Sequence, residues 1–142
     1  MKNSILITLV FVISLTLSCK ENKVEEQNIT KSEQQIIINK KLVSADFKTN
    51  IEKKSVQLID VRTSKEFNEG HIKNAENIDF YDANFYTDID KLNKDEPLYL
   101  YCRSGGRSGK AAAKLKELGF KEVYDLHGGI IDWGKNNLEL VK

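Results

Sequence analysis

The sequence predicts an α/β fold: a central parallel sheet with helices on both faces. Three observations predict it. The apolar runs at 56–61 (VQLIDV) and 98–101 (LYLY) do not alternate regularly with polar residues, as expected of strands buried on both sides. Residues 108–118 carry Ala111, Ala112, Leu115 and Leu118 at helical, core-facing spacing. Strands and helices alternate from residue 36 onward, and such a chain pairs its strands in parallel.

Ile36-Ile37-Ile38 and Leu42-Val43 are short β-type runs, and Ser44 is placed to cap a helix through Ala45, Phe47 and Ile51. Lys53-Lys54-Ser55 is a polar break before the strand at 56–61. Thr63 or Ser64 caps a short helix over 65–68 that Gly70 ends, and 75–80 reads as another strand. Residues 81–95 form a helical excursion with Phe85, Ile89 and Leu92 on one face. Pro97 opens the strand at 98–101, which feeds directly into Cys102. The helix at 108–118 stops at Gly119, a residue suited to the left-handed C′ position. A strand at 123–126, a Gly128-Gly129 turn and a helical turn over 130–134 complete the pattern.

With 142 residues the chain suits one domain, and residues 36–142 suffice for one core. Its 22 basic and 21 acidic side chains nearly cancel, leaving a net charge of +1. That balance argues against a nucleic-acid partner, which requires a basic surplus, but leaves room for a small anion in one pocket. Nineteen of the basic residues are Lys and three are Arg: Arg62, Arg103 and Arg107. Arg is the residue for gripping an oxyanion or carboxylate in fixed geometry, and two of the three lie within five residues of Cys102.

The first residues read as an address. Met1-Lys2-Asn3 is followed by an apolar run over 4–18, too short to span a bilayer and suited to a signal peptide over 1–18. A small residue followed by Cys19 resembles the bacterial lipoprotein signal, with Cys19 as the lipidated new N-terminus. Thr16 departs from the Leu usual in that pattern. Residues 19–35 form a polar, flexible tether without an aromatic residue. The expected location is therefore exported and membrane-anchored, on the periplasmic or cell-surface side. With Cys19 assigned to the anchor, Cys102 is a free thiol in an exported chain.

Residues 101–108 (YCRSGGRS) run from strand through tight loop to helix start. Ligands bind at the carboxyl ends of strands in open α/β sheets, and Cys102 stands at such an end. Gly105 and Gly106 permit positive φ, so successive N–H groups can turn inward as an anion nest, and the helix N-terminus adds partial positive charge. Both effects, with the Arg neighbours, lower a thiol pKa from about 8.5 and raise the thiolate fraction. The same cradle would hold the terminal anion of a Cys–S–S⁻ persulfide.

Here a family resemblance is carried by five segments in order: Leu58-Ile59-Asp60-Val61-Arg62, residues 66–72 (EFNEGHI), Ala75-Glu76-Asn77-Ile78, the CRSGGRS loop, and residues 128–133 (GGIIDW). Together they resemble the single-domain rhodaneses over about residues 42–135. The resemblance implies the rhodanese fold and movement of sulfane sulfur from a small anionic donor, such as thiosulfate or polysulfide, to a thiol or cyanide acceptor, with no cofactor. Residue by residue it makes Cys102 the persulfide-bearing nucleophile and Arg103 a donor-binding cation. It makes Ser104, Gly105, Gly106, Arg107 and Ser108 the backbone cradle, with Arg107 closing the loop. Asp60 and Arg62 brace the site, with Glu66 as a partner for Arg62. Asn74 departs from the Gly or Pro usual before the Ala, altering a turn.

Other readings are weaker. His71 fits a structural turn, His127 a solvated position, Trp133 a core or rim aromatic, and Ser104 and Ser108 could serve as caps. Two His and one free Cys without clustered ligand spacing argue against a metal site. A Cys-dependent phosphatase needs Cys-x5-Arg, whereas Cys102 and Arg107 are spaced Cys-x4-Arg. The alternative from another class is a non-catalytic module of the same fold used for sulfide sensing or partner docking.

Overall fold

The structure, a computed structural model, describes residues 38–53 and 56–142. The signal peptide over 1–18, Cys19 and the tether over 19–35 lie outside the described residues, as do Ile36 and Ile37. The expected parallel α/β architecture is present. Five strands, β1 (Ile38–Leu42), β2 (Gln57–Asp60), β3 (Glu76–Asn77), β4 (Leu98–Tyr101) and β5 (Glu122–Leu126), form one sheet in the order β1-β5-β4-β2-β3. Every pairing is parallel. Five helices connect or follow them: α1 (Ser44–Lys53), α2 (Ser64–Glu69), α3 (Phe85–Ile89), α4 (Gly106–Glu117) and α5 (Gly129–Lys135).

The two-residue period of a strand divides the core in two. Ile59, Leu98, Leu100, Cys102 and Val123 face Phe85 and Ile89 of α3 and Ala111, Ala112 and Leu115 of α4. Leu58, Tyr99, Tyr101 and Leu126 face Phe47 of α1 and Ile130 and Trp133 of α5. Leu92 and Leu118 pack, partly buried, against the first cluster. Burial on both faces explains why β4 shows no polar alternation.

Several boundaries differ from the sequence reading. β1 runs through Asn39-Lys40-Lys41, which looked like a polar gap; as an edge strand it tolerates Lys, and the Asn39 side chain donates to the Ala112 carbonyl at 2.9 Å. Ser44 does not cap α1 but is its first residue, buried, with its hydroxyl donating to Asp132 at 2.7 Å. The strand expected over 75–80 pairs only at Glu76–Asn77, because β2 ends at Asp60; Ile78 and Phe80 still donate to Asp60 and Val61 carbonyls. Helix α4 starts at Gly106, two residues early, which puts Arg107 and Ser108 in its first turn. Gly119 is left-handed at φ 88°, and Gly119 and Phe120 donate to Lys116 and Leu115 carbonyls as a Schellman stop. Asn74 adopts φ 66°, a conformation Asn tolerates better than most residues.

Candidate active site

From β2 the chain moves outward to β3, and from β4 it moves the other way to β5. Adjacent strands whose connections diverge leave a crevice at their carboxyl ends. Asp60 ends β2 in register with Tyr101 of β4, so Arg62 and Cys102 emerge at that crevice.

Cys102 is 1% exposed, yet it borders an open concavity of about 500 Å³ lined also by Thr63, Glu66, Tyr81, Arg103, Ser104, Gly106, Arg107 and Lys110. The Gly105 N–H donates to Sγ at 3.1 Å, and the Ser108 hydroxyl donates to it at 3.4 Å. Burial pushes the thiol pKa up, but the Ser108 hydroxyl and the amides of Ser108, Ser104 and Gly105 together bring it below its ordinary value. Gly105 supplies the tight turn at φ 88°; Gly106, expected to share that freedom, is helical instead. A larger concavity of about 700 Å³, beside α1 and Trp133, contains neither thiol nor His.

The second glycine pair has a role that its sequence did not reveal. Ile130 and Ile131 donate to the Cys102 and Arg103 carbonyls at 2.9 and 3.2 Å. A Cβ on Gly129 would collide with those same carbonyls, so the approach requires glycine there. The sulfur-bearing loop is thereby fixed from outside as well as by its own helix.

The three arginines do different work. Arg103 is exposed on the concavity, and among the described residues its side chain makes no hydrogen bond. Arg107 is clamped by Glu66, which accepts at 2.7 Å on each oxygen, and its guanidinium lies 5.5 Å from the Tyr81 ring centre. Arg62 binds Asp60 through Nε and Nη2 at 2.6–3.0 Å and donates to the Gly70 carbonyl at 2.7 Å. Glu66 is therefore the partner of Arg107, not of Arg62 as expected. The capping box explains why: Thr63 holds the Glu66 carboxylate above α2, aimed at the loop. The Asp60–Arg62 pair stays buried at the carboxyl end of β2, and Asn77 donates to both their carbonyls.

His71 sits against Phe67, ring centres 3.8 Å apart, and its backbone bridges to Val141; His127 is exposed and its N–H donates to the Leu42 carbonyl. Neither lines the concavity around Cys102. Trp133 is buried in the core and donates to the Glu139 carbonyl. Sequence reasoning missed Thr63, Tyr81 and Lys110 at the mouth.

The Arg107 bonds, more than its burial, hold the Glu66 carboxyl at about 2 rather than 4.5. A carboxyl lowered on folding stabilises the fold above its unfolded pKa, and this contribution fades as pH falls from about 4.5 towards 2. Glu66→Gln is expected to flatten that part of the acid dependence. Urea midpoints at pH 7 and pH 3 check it; an equal drop in both proteins would refute the assignment.

This arrangement defines a class: an α/β domain presenting a hydrogen-bonded thiol at its topological switch point. Residues 43–136 match the family model for the rhodanese-like domain, and the chain belongs to that family. It is 41% identical over 86 residues to the thiosulfate sulfurtransferase GlpE of Shewanella oneidensis, covering 61% of this chain and 83% of that one. It is 40% identical over 98 residues to a tRNA uridine(34) hydroxylase of Cytophaga hutchinsonii, covering 67% of this chain and only 31% of that protein. Among solved structures, a rhodanese-like domain protein from Staphylococcus aureus aligns with TM-score 0.62 and 32% identity, covering 72% of this chain and 99% of the other.

Proposed function

We propose that this protein is a sulfurtransferase that moves sulfane sulfur through a persulfide on Cys102. The observation that carries the reading is the sulfur of Cys102 at the edge of an open concavity, receiving hydrogen bonds from Gly105 and Ser108. The Cys102 thiolate attacks the outer sulfur of a donor such as thiosulfate. A Cys102–S bond forms, the donor S–S bond breaks, and its electron pair leaves with sulfite. An acceptor thiolate or cyanide then takes the outer sulfur and restores the Cys102 thiolate. Donors pointing at a persulfide stabilise charge as it develops, in the manner of an oxyanion hole. Arg103 meets the anionic donor, whereas Arg107 is engaged by Glu66 and acts by holding the loop.

Incubation with thiosulfate followed by intact mass measurement tests this: a single adduct of about +32 Da, removed by cyanide, is the expected result. No adduct with thiosulfate or polysulfide would favour the docking-module alternative. The sequence of residues 1–35 further supports export and anchoring through a lipidated Cys19. Cys19→Ala is expected to release the chain from the membrane fraction or leave its precursor uncleaved. Unchanged processing and fractionation would exclude lipidation at that residue.

A further inference from the structure

Among the described residues, one buried side chain has polar atoms without a partner. Asp125 is 1% exposed and neither carboxylate oxygen completes a hydrogen bond. It stands on β5 in register with Leu100 of β4, two residues before Cys102, so its side chain enters the same face of the sheet as the sulfur. The first turns of α4 pass over it: a Cβ added at Gly109 would lie 3.6 Å from Oδ2. Lys41 of β1 approaches from the sheet edge, with Nζ 4.0 Å from Oδ2 and its side chain 60% exposed. Ser108 precedes Gly109 on α4 and His127 lies two residues beyond Asp125, so both are its neighbours, while β4 offers Leu100. Burying a carboxyl without hydrogen bonds is costly, and the largely exposed Lys41 at 4.0 Å offsets little of that cost.

Ser108 connects this group to the chemistry. It is fully buried beside Asp125, but its hydroxyl points its hydrogen at Cys102 Sγ. A hydroxyl has one hydrogen to give, so carboxylate and thiolate compete for it. We propose that Asp125 is a positioning residue for sulfur loading: its ionised carboxylate shares the Ser108 hydroxyl with Cys102 and favours the state in which negative charge has left Sγ for the outer sulfur. This rests on the persulfide reading above. In the free enzyme two negative charges flank one hydroxyl. Loading moves one of them by an S–S bond, about 2 Å, into the concavity, which Asp125 does not line. Sγ then becomes a weak acceptor and the Ser108 hydrogen passes to the carboxylate. Burial pushes the Asp125 carboxyl up, while Ser108, Lys41 and His127 pull it down without cancelling the rise.

Asp125→Asn keeps the shape and removes the charge. The readout is the pH profile of Cys102 alkylation by iodoacetamide, followed by intact mass on the full chain in detergent. The variant is expected to alkylate about threefold faster at pH 6 and more slowly on the high-pH plateau, because a stabler thiolate is more abundant but less nucleophilic. An unchanged profile in the folded variant, or one moved to higher pH, would overturn the proposal. A second measurement needs no substitution: in wild-type protein with 13C-labelled Asp carboxyls, the Asp125 resonance is expected to move on persulfide formation. A resonance that stays put while the adduct forms counts against the shared hydroxyl. Alkylation requires no sulfur transfer, so it separates the two ideas. A chain that alkylates as expected without forming an adduct loses the transferase reading and keeps the coupling; the reverse pattern loses only Asp125.

Discussion

Cys102→Ser is expected to abolish the sulfur adduct and to lower sulfite release from thiosulfate on the order of 10⁴-fold or more, the scale seen when a covalent nucleophile is removed. The fold should survive. Cys102 is packed among Ile59, Leu100 and the α4 alanines, and a Ser hydroxyl of slightly smaller volume would still meet the Gly105 N–H and the Ser108 hydroxyl. The loss is chemical: a Ser oxygen stays protonated near neutral pH and cannot carry sulfane sulfur as a persulfide. Steady-state sulfite release, intact mass and a thermal melt on the same preparation check all three statements. A +32 Da adduct persisting in this variant would move the nucleophile elsewhere and end the assignment.

Much of this geometry was legible in residue types because local rules and global fold agree. The apolar residues over 98–101 and the Ala/Leu spacing of α4 encode a buried strand and its covering helix directly. The loop was readable because a strand end, a positive-φ glycine and a helix start fall within six residues, 101–106. Tertiary pairings were not. Glu66 lies four residues from Arg62, and only the capping box turns its carboxylate towards Arg107, 41 residues away. Gly129 looks like an ordinary turn residue until its neighbours Ile130 and Ile131 are seen gripping the Cys102 and Arg103 carbonyls. Asp125 was hidden for a different reason. One Asp in an apolar strand resembles a solvated residue on an open face, and only the order β1-β5-β4 places it inside, on the sulfur's face of the sheet.

The largest effect on stability is expected from Asp60→Ala. Asp60 and Arg62 are both buried, and the carboxylate accepts four bonds from the Arg62 backbone and guanidinium. Burial pulls the Arg62 pKa down, but the Asp60 bonds and charge more than restore it, so the pair stays charged. Removing Asp60 leaves a guanidinium out of water with the Gly70 carbonyl as its remaining hydrogen-bond partner among the described residues. Orphaning one member of such a pair costs about 3–5 kcal/mol, which for a domain of this size lowers Tm by about 15 °C or more. The damage should also reach the site: Val61 donates to the Tyr101 carbonyl, one residue before the sulfur, and relies on this brace to stay in line. Replacing both partners, Asp60→Leu with Arg62→Met, is expected to recover part of the lost stability because no charge is then stranded. Calorimetry on the two single variants and the double variant decides between a braced ion pair and mere packing. A loss below about 1 kcal/mol for Asp60→Ala, the size of an exposed ion pair, would mean that water reaches Arg62 and that the carboxyl end of β2 is less sealed than described.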